Sequence, residues 1–234
     1  MFDVIAFDAD DTLWHNEPHY RNAQQRVIEI LARHHDAEWI RRRMDETEIR
    51  NLAHYGYGAK GFTLSLIETA IDLTEGQITG NEVGQIIALT KEMLCAPIEL
   101  LDGVRETITQ LAATHLLMLI TKGDLFDQEG KLARSGLGDY FSRIEIVPTK
   151  TTRVYAAIAA KHAINPARFL MVGNSLKSDI LPVIALGGHA VYVPYETTWE
   201  HERVPESELV GQQFHELAHI TQLPALLDTL RAAV

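Results

Sequence analysis

Three carboxylates fall within four residues near the start of the chain: Asp8, Asp10 and Asp11, in the run Phe2-Asp-Val-Ile-Ala-Phe-Asp8-Ala9-Asp10-Asp11-Thr12. The apolar stretch Val4 to Phe7 before them reads as a short buried strand bounded by a turn. Crowding anions at the end of a buried strand is costly unless a cation neutralises them. Oxygen-only ligands suit a hard divalent ion such as magnesium. In α/β proteins, ligands bind beyond the carboxyl ends of the strands. The segment is therefore a candidate metal and reaction site. Read without chemistry, it is an Asx-type turn that caps the next helix.

The rest of the chain must position these groups. Residues 16–100 read as helix after helix, over about 18–34, 36–53, 62–73 and 79–95, with an amphipathic stripe of Arg26, Val27, Ile30 and Leu31 on the first. Between the second and third lies a glycine-rich loop, residues 54–62, with Tyr55, Tyr57 and Lys60. From 102 onward helices and strands alternate: helix 103–113, strand 115–120, helix 125–135, strand 144–147, helix 151–163, strand 169–172, helix 178–186, strand 190–193 and a last helix over 222–232. Alternating units of this kind imply a parallel sheet covered on both faces. The expected fold is α/β, a doubly wound Rossmann-like core (1–15 and 101–234) with an all-helical insert (16–100).

Every core strand ends in polar residues. Asp8 and Asp10 follow the first, Thr121-Lys122-Gly123-Asp124 the second, Lys150 the third, and Gly173-Asn174-Ser175 the fourth, with Asp179 just beyond. In this the chain resembles the haloacid dehalogenase-type (HAD) hydrolases, in their phosphatase branch. The DxDxT motif of that family is present as Asp8-Ala9-Asp10-Asp11-Thr12. Its strand-ending Thr or Ser matches Thr121, its Lys before a helix matches Lys150, and its GDxxxxD matches Gly173–Asp179. Taken one at a time, Thr121 also reads as a helix N-cap, Lys150 as a solvated residue and Asp179 as a first-turn acid. The ordered set of four motifs at successive strand ends is what carries the resemblance.

The resemblance implies a magnesium-dependent phosphatase acting on a small phosphorylated metabolite. A carboxylate that attacks phosphorus splits hydrolysis into two easier steps, the role implied for Asp8. A second carboxyl two residues on, Asp10, would protonate the leaving oxygen and then take a proton from water. Thr121 and Lys150 would hold the charge of the transferring phosphoryl, and Lys122 would contact substrate. Asp8, the backbone carbonyl of Asp10, Asn174 and Asp179 would hold Mg2+. Two positions depart from the pattern: Asp11 stands where Gly is usual, and Asn174 where Asp is usual, which removes one charge near the metal. More than a hundred residues separate Asp10 from Thr121, which places a helical cap after the first motif. Tyr55, Tyr57 and Lys60 are the candidate substrate contacts of that cap; as plain structure they form an interhelix turn. Alternatives on the same fold are a haloacid dehalogenase, a phosphomutase, a phosphonate hydrolase, or a binding protein without catalysis. Dehalogenases usually carry Tyr at the position of Asp10.

The 234 residues are 46% hydrophobic and 23% charged, an ordinary globular composition. A net charge of -11 argues against a nucleic-acid or anionic-membrane surface. A single cysteine, Cys95, and no apparent signal peptide fit a cytoplasmic protein, as monomer or homodimer. His215-Glu-Leu-Ala-His219 matches the HExxH zinc pattern. No Glu or His follows it as a third ligand, and a loop before the last helix is the preferred reading. Arg41-Arg42-Arg43 reads as a solvated helix face, and His15 and His19 as hinge packing or as groups lining a pocket mouth.

Overall fold

The computed structural model describes residues 2–197, 199 and 202–232. Its strands are β1 (Val4–Phe7), β2 (Leu116–Lys122), β3 (Arg143–Val147), β4 (Phe169–Gly173), β5 (His189–Tyr192) and β6 (His215–Glu216). They form one sheet in the order β3-β2-β1-β4-β5-β6, with every neighbouring pair parallel. This is the doubly wound α/β arrangement, with the site expected at the strand ends nearest the order reversal, where β1 lies between β2 and β4.

Alternation along the strands divides the core in two. Ile5, Phe7, Leu117, Leu119, Leu170 and Val172 pack on one face with Val104, Ile108 and Leu111 of α5 (Val104–Ala112) and Leu223 and Leu227 of α10 (Leu223–Ala232). Val4, Ala6, Met118, Ile120 and Met171 pack on the other with Tyr155 and Ile158 of α7 (Thr152–Lys161) and Val183 of α8 (Leu181–Ala185). Both faces are covered, so the central strands are apolar throughout instead of alternating.

By its contacts the chain divides into two compact units. One holds the residues up to His15, Ile98–Lys122 and those from Gln128 onward; the other holds Asn16–Pro97 and Gly123–Asp127. The second unit is built on α1 (Glu17–Leu31), α2 (Ala37–Tyr55), α3 (Ala59–Leu73) and α4 (Gly80–Cys95), packed around Val27, Ile40, Met44, Phe62, Leu66 and Ile86. Local chemistry sets its helix ends: Asp36 accepts from Trp39 N at 2.9 Å, and Thr79 with Glu82 forms a capping box before α4. Among the described residues no helix is long and apolar enough to cross a membrane.

Several elements differ from the sequence expectation. The loop expected over 54–62 is only Gly56–Gly58: α2 runs on to Tyr55 and α3 begins at Ala59, so Lys60 stands in a first helical turn. Gly56 (φ 68°) and Gly58 (φ 121°) supply the backbone this tight connection needs. Strand β2 extends through Thr121 and Lys122, which are paired to Ile146 and Val147. The helix expected from 178 starts as a π-turn, Leu176–Ile180. The short helix α9 (Glu206–Leu209) and strand β6 were not anticipated. β6 contains the first two residues of the HExxH match, and His219 caps the turn that follows. The helix that would bring both histidines to one side is therefore not formed. The start of α6 (Leu125–Ser135) falls where periodicity puts it.

The turn after β1 is closed by Thr12 N to Ala9 O (3.2 Å), Leu13 N to Ala9 O (2.8 Å) and Asp11 N to Trp14 O (2.8 Å). Asp11 sits there at φ 62°, in the left-handed region that favours glycine. That is the physical reason glycine suits this position, and Asp is among the few side chains that tolerate it. We expect Asp11→Gly to change the unfolding free energy in urea by less than about 1 kcal/mol. The β-branched Asp11→Val is expected to cost about 2 kcal/mol or more. Equal stability of the two variants would contradict this account of the turn.

Candidate active site

Asp8 is the first residue past β1, and its N–H donates to Val172 O of β4 at 2.9 Å. Following Val4 and Ala6 by even steps, it belongs to the α7 side of the sheet. Lys150 Nζ donates to Asp8 Oδ1 and, at 2.7 Å, to Asp179 Oδ1. The Lys150 and Asp179 side chains are each 1% exposed. Two anions and one cation thus meet in a buried place, and the geometry is tolerable because Lys150 bonds both carboxylates at once. Asp179 Oδ2 accepts from Ser175 N at 3.0 Å. Thr12 Oγ1 lies 3.0 Å from Asp8 Oδ2 and 3.2 Å from Asn174 Oδ1, while it accepts from Asn174 N at 3.1 Å. Its single proton serves one of those two acceptors at a time.

Burial disfavours the Lys150 ammonium, but Asp179 and Asp8 outweigh it and hold the group above the ordinary lysine value. Burial, with the like charge of Asp8, pushes the Asp179 carboxyl up against the pull of Lys150. Burial and the neighbouring Asp179, Asp8 and Glu202 carboxylates keep the Tyr155 hydroxyl neutral, and it donates to Ser178 O at 3.1 Å. Gly173 is required here sterically: a Cβ on it would lie 2.3 Å from Asp179 Oδ2.

Asp10 faces different partners. Its Oδ1 accepts from Trp14 Nε1 (2.7 Å) and Lys131 Nζ (3.1 Å), and its Oδ2 from Gln128 Nε2 (2.8 Å) and Lys131 Nζ (3.0 Å). Gln128 also accepts from Thr121 Oγ1 at 3.2 Å. Thr121, Gln128 and Asp10 thus form one chain of hydrogen bonds. Lys122, one residue on in the strand, points to the opposite face, where Nζ donates to Ser178 Oγ (3.0 Å) and Glu202 Oε1 (2.5 Å). Burial alone would raise the Glu202 carboxyl, but Lys122 and the hydroxyls of Ser175 and Ser178 hold it at about 2.

The structure therefore brings Asp8, Lys150, Asn174 and Asp179 together, joins Asp10 to Thr121 through Gln128, and commits Lys122 to Glu202. Tyr55, Tyr57 and Lys60 belong to the second unit. There Tyr55 is exposed, and Lys60 Nζ is bonded to both oxygens of Asp124 at 3.0 and 3.1 Å, 5.4 Å from the Phe126 ring. His15 Nδ1 bonds Tyr195 Oη at 2.7 Å. Sequence reasoning missed Gln128, Lys131, Ser175, Ser178 and Glu202. The i, i+3 spacing of Gln128 and Lys131 on α6 was a usable sign; nothing in the sequence marked Glu202.

For magnesium, the donors at hand are the carboxylates of Asp8 and Asp179, the amide oxygen of Asn174 and the carbonyl of Asp10. Among the described residues no three or more His, Cys, Asp or Glu side chains form a metal-holding group. An all-oxygen set with two carboxylates fits an ion that keeps several waters.

Replacing Lys150 by Met should leave Asp8 and Asp179 buried without their counter-charge. Unfolding of the metal-free protein is expected to show a loss of about 3 kcal/mol, part of which Lys150→Met/Asp179→Asn recovers. Acid titration supplies a second test. The Glu202 carboxyl is held below its usual 4.5 in the folded state, so its contribution to stability is complete above that pH and disappears as pH falls toward about 2. Equilibrium unfolding between those limits should fall less steeply with acid in Glu202→Gln than in the wild type.

Comparison with known proteins agrees with this geometry. A family model described as a haloacid dehalogenase-like hydrolase matches residues 2–187. The chain is 25% identical to the N-acylneuraminate-9-phosphatase of Mus musculus over 244 residues, covering 99% of this chain and 96% of the relative. A haloacid dehalogenase-like family hydrolase from Xanthomonas campestris has a solved structure that superposes with a TM-score of 0.88 at 39% identity, over 99% of this chain and 93% of that one. The fold is shared at 18% identity and a TM-score of 0.67 by a predicted phosphoglycolate phosphatase from Haemophilus somnus 129pt, over 97% and 98% of the two chains. With its motifs seated at the ends of successive parallel strands and the family model spanning most of its length, the chain belongs to the haloacid dehalogenase-like hydrolases.

Proposed function

We propose that this hydrolase is a magnesium-dependent phosphatase that releases phosphate from a small phosphorylated metabolite. The observation that carries the reading is Asp8: a buried carboxylate at the end of the central strand, with one oxygen on Lys150 and the other beside Thr12. Asp8 attacks phosphorus and becomes an aspartyl phosphate, which water then hydrolyses. Thr121 and Lys150 orient the phosphoryl oxygens and offset their charge. Asp10 gives a proton to the leaving oxygen and takes one from the attacking water. Its lone pairs are occupied by Trp14, Gln128 and Lys131, so Asp10 exchanges one of these partners as it transfers the proton. Asp8, Asn174, Asp179 and the Asp10 carbonyl would hold Mg2+, which would add positive charge beside the transferring group. The mouse relative, named as a phosphatase, supports the reaction class. Tyr55, Tyr57 and Lys60 remain the candidates for contact with the rest of the substrate, Lys122 would reach it only by leaving Glu202, and a lone Cys95 fits a reducing cytoplasm.

Two variants test the assignment. Asp8→Asn should keep its fold by circular dichroism and lose phosphate release by a factor well above ten. Asp10→Asn should lose far more activity on an alkyl phosphate than on p-nitrophenyl phosphate, whose leaving group needs little protonation. Substantial turnover by Asp8→Asn, or equal losses on both substrates for Asp10→Asn, would remove these roles. EDTA should stop the wild-type reaction and magnesium should restore it.

A further inference from the structure

Glu202 lies outside every motif, beyond β5. The residue is 8% exposed, yet both oxygens of its carboxylate accept hydrogen bonds. Oε1 accepts from Lys122 Nζ at 2.5 Å, and Oε2 accepts from Ser175 Oγ at 2.5 Å and Ser178 Oγ at 2.6 Å. A third buried carboxylate near Asp8 and Asp179 works against an anionic substrate unless it has another task. The task is visible in what its partners hold. Ser175 Oγ accepts from Ser178 N at 3.0 Å, and Ser175 N donates to Asp179 Oδ2 at 3.0 Å. Ser178 Oγ accepts from Lys122 Nζ, and Ser178 O accepts from Tyr155. All of this closes around the π-turn Leu176–Ile180, where Ile180 N reaches back to Ser175 O at 3.3 Å. A π-turn is a rare backbone form, recurrent at functional sites. Without fixed hydroxyls at 175 and 178, Asn174, just before the turn, and Asp179, within it, lose their relative placement.

We infer that Glu202 is a positioning residue: through Ser175, Ser178 and Lys122 it fixes the turn that presents Asn174 and Asp179, and so sets the affinity of the site for a divalent cation. The inference rests on the magnesium-dependent reading above. Groups behind a metal's direct ligands commonly change its affinity by a factor of ten or more, because they fix ligand orientation. Lys122 serves here as the cation that makes a buried Glu202 tolerable, and its position after Thr121 ties the end of β2 to the same turn.

Magnesium binding to the purified full-length protein, without substrate, is measured by calorimetry for wild type, Glu202→Gln, Ser175→Ala and the double variant. The glutamine is nearly isosteric but cannot accept all three donors. We expect a Kd for Mg2+ about tenfold weaker in Glu202→Gln. The double variant should be no worse than the poorer single one, since both cut the same linkage. With p-nitrophenyl phosphate at saturating magnesium, KM should stay within about twofold of wild type. A folded Glu202→Gln with wild-type magnesium affinity overturns the inference, and so do additive losses in the double variant. If thermal melting shows that Glu202→Gln does not fold, Ser175→Ala decides alone: weaker magnesium binding supports the role and unchanged binding rejects it. A wild-type protein that binds no magnesium overturns the metal reading itself, and this inference with it.

Discussion

Lys150 carries its ammonium into a place sealed from water, where Asp8 from the end of β1 and Asp179 from beyond β4 both accept from it. Each charge alone would be driven out by its desolvation cost; together they are held because the strand ends bring them into bonding contact. The constraint spreads outward. Gly173 carries no side chain because the Asp179 carboxylate fills that space. Thr12 Oγ1 donates toward Asp8 and accepts from Asn174 N, joining the turn after β1 to the turn after β4. The sheet order, with β1 between β2 and β4, is what makes these contacts available to residues more than a hundred positions apart.

Strand parity divides the chemistry in two. Asp8 and Lys122 fall on one face of the sheet, Thr121 on the other. On the α6 side, Thr121, Gln128 and Asp10 form a polar line closed by Lys131 and Trp14. On the α7 side, Lys150, Asp179, Tyr155, Ser178, Lys122 and Glu202 form a second one. The family's motifs draw on both networks, so neighbouring residues in one motif do unlike things.

How far this was legible in the sequence depended on distance along the chain. The β/α alternation, the buried strands and the motif residues Asp8, Asp10, Thr121, Lys150 and Asp179 declare themselves through periodicity and through polar residues at strand ends. Their partners do not. Glu202 sits in a segment with no periodic signal, and only the fold brings it to Lys122, 80 positions away. Lys122 read as a substrate contact from its place at a strand end beside Thr121; parity and Glu202 give it a protein partner. The glycine-rich stretch looked like a long loop because glycine counts against helix, yet two positive-φ glycines suffice for the bend and α3 absorbs Gly61. The π-turn at Leu176 has a helical pattern but a wider backbone, and hydrophobic spacing does not register that difference.

The sheet order also bears on how the chain is made. β1 leaves the ribosome before either of its sheet neighbours, and its four residues are buried in the finished protein. Its neighbours are Leu116–Leu119 and Phe169–Val172. The helices α1 to α4 rest largely on contacts close in sequence and can assemble early, whereas β1 has no partner on either side until much of the chain has emerged. During that interval Val4–Phe7 is an open, apolar edge tethered to a growing chain. The segment on which the whole centre later depends is therefore open to mispairing while its partners are still being made.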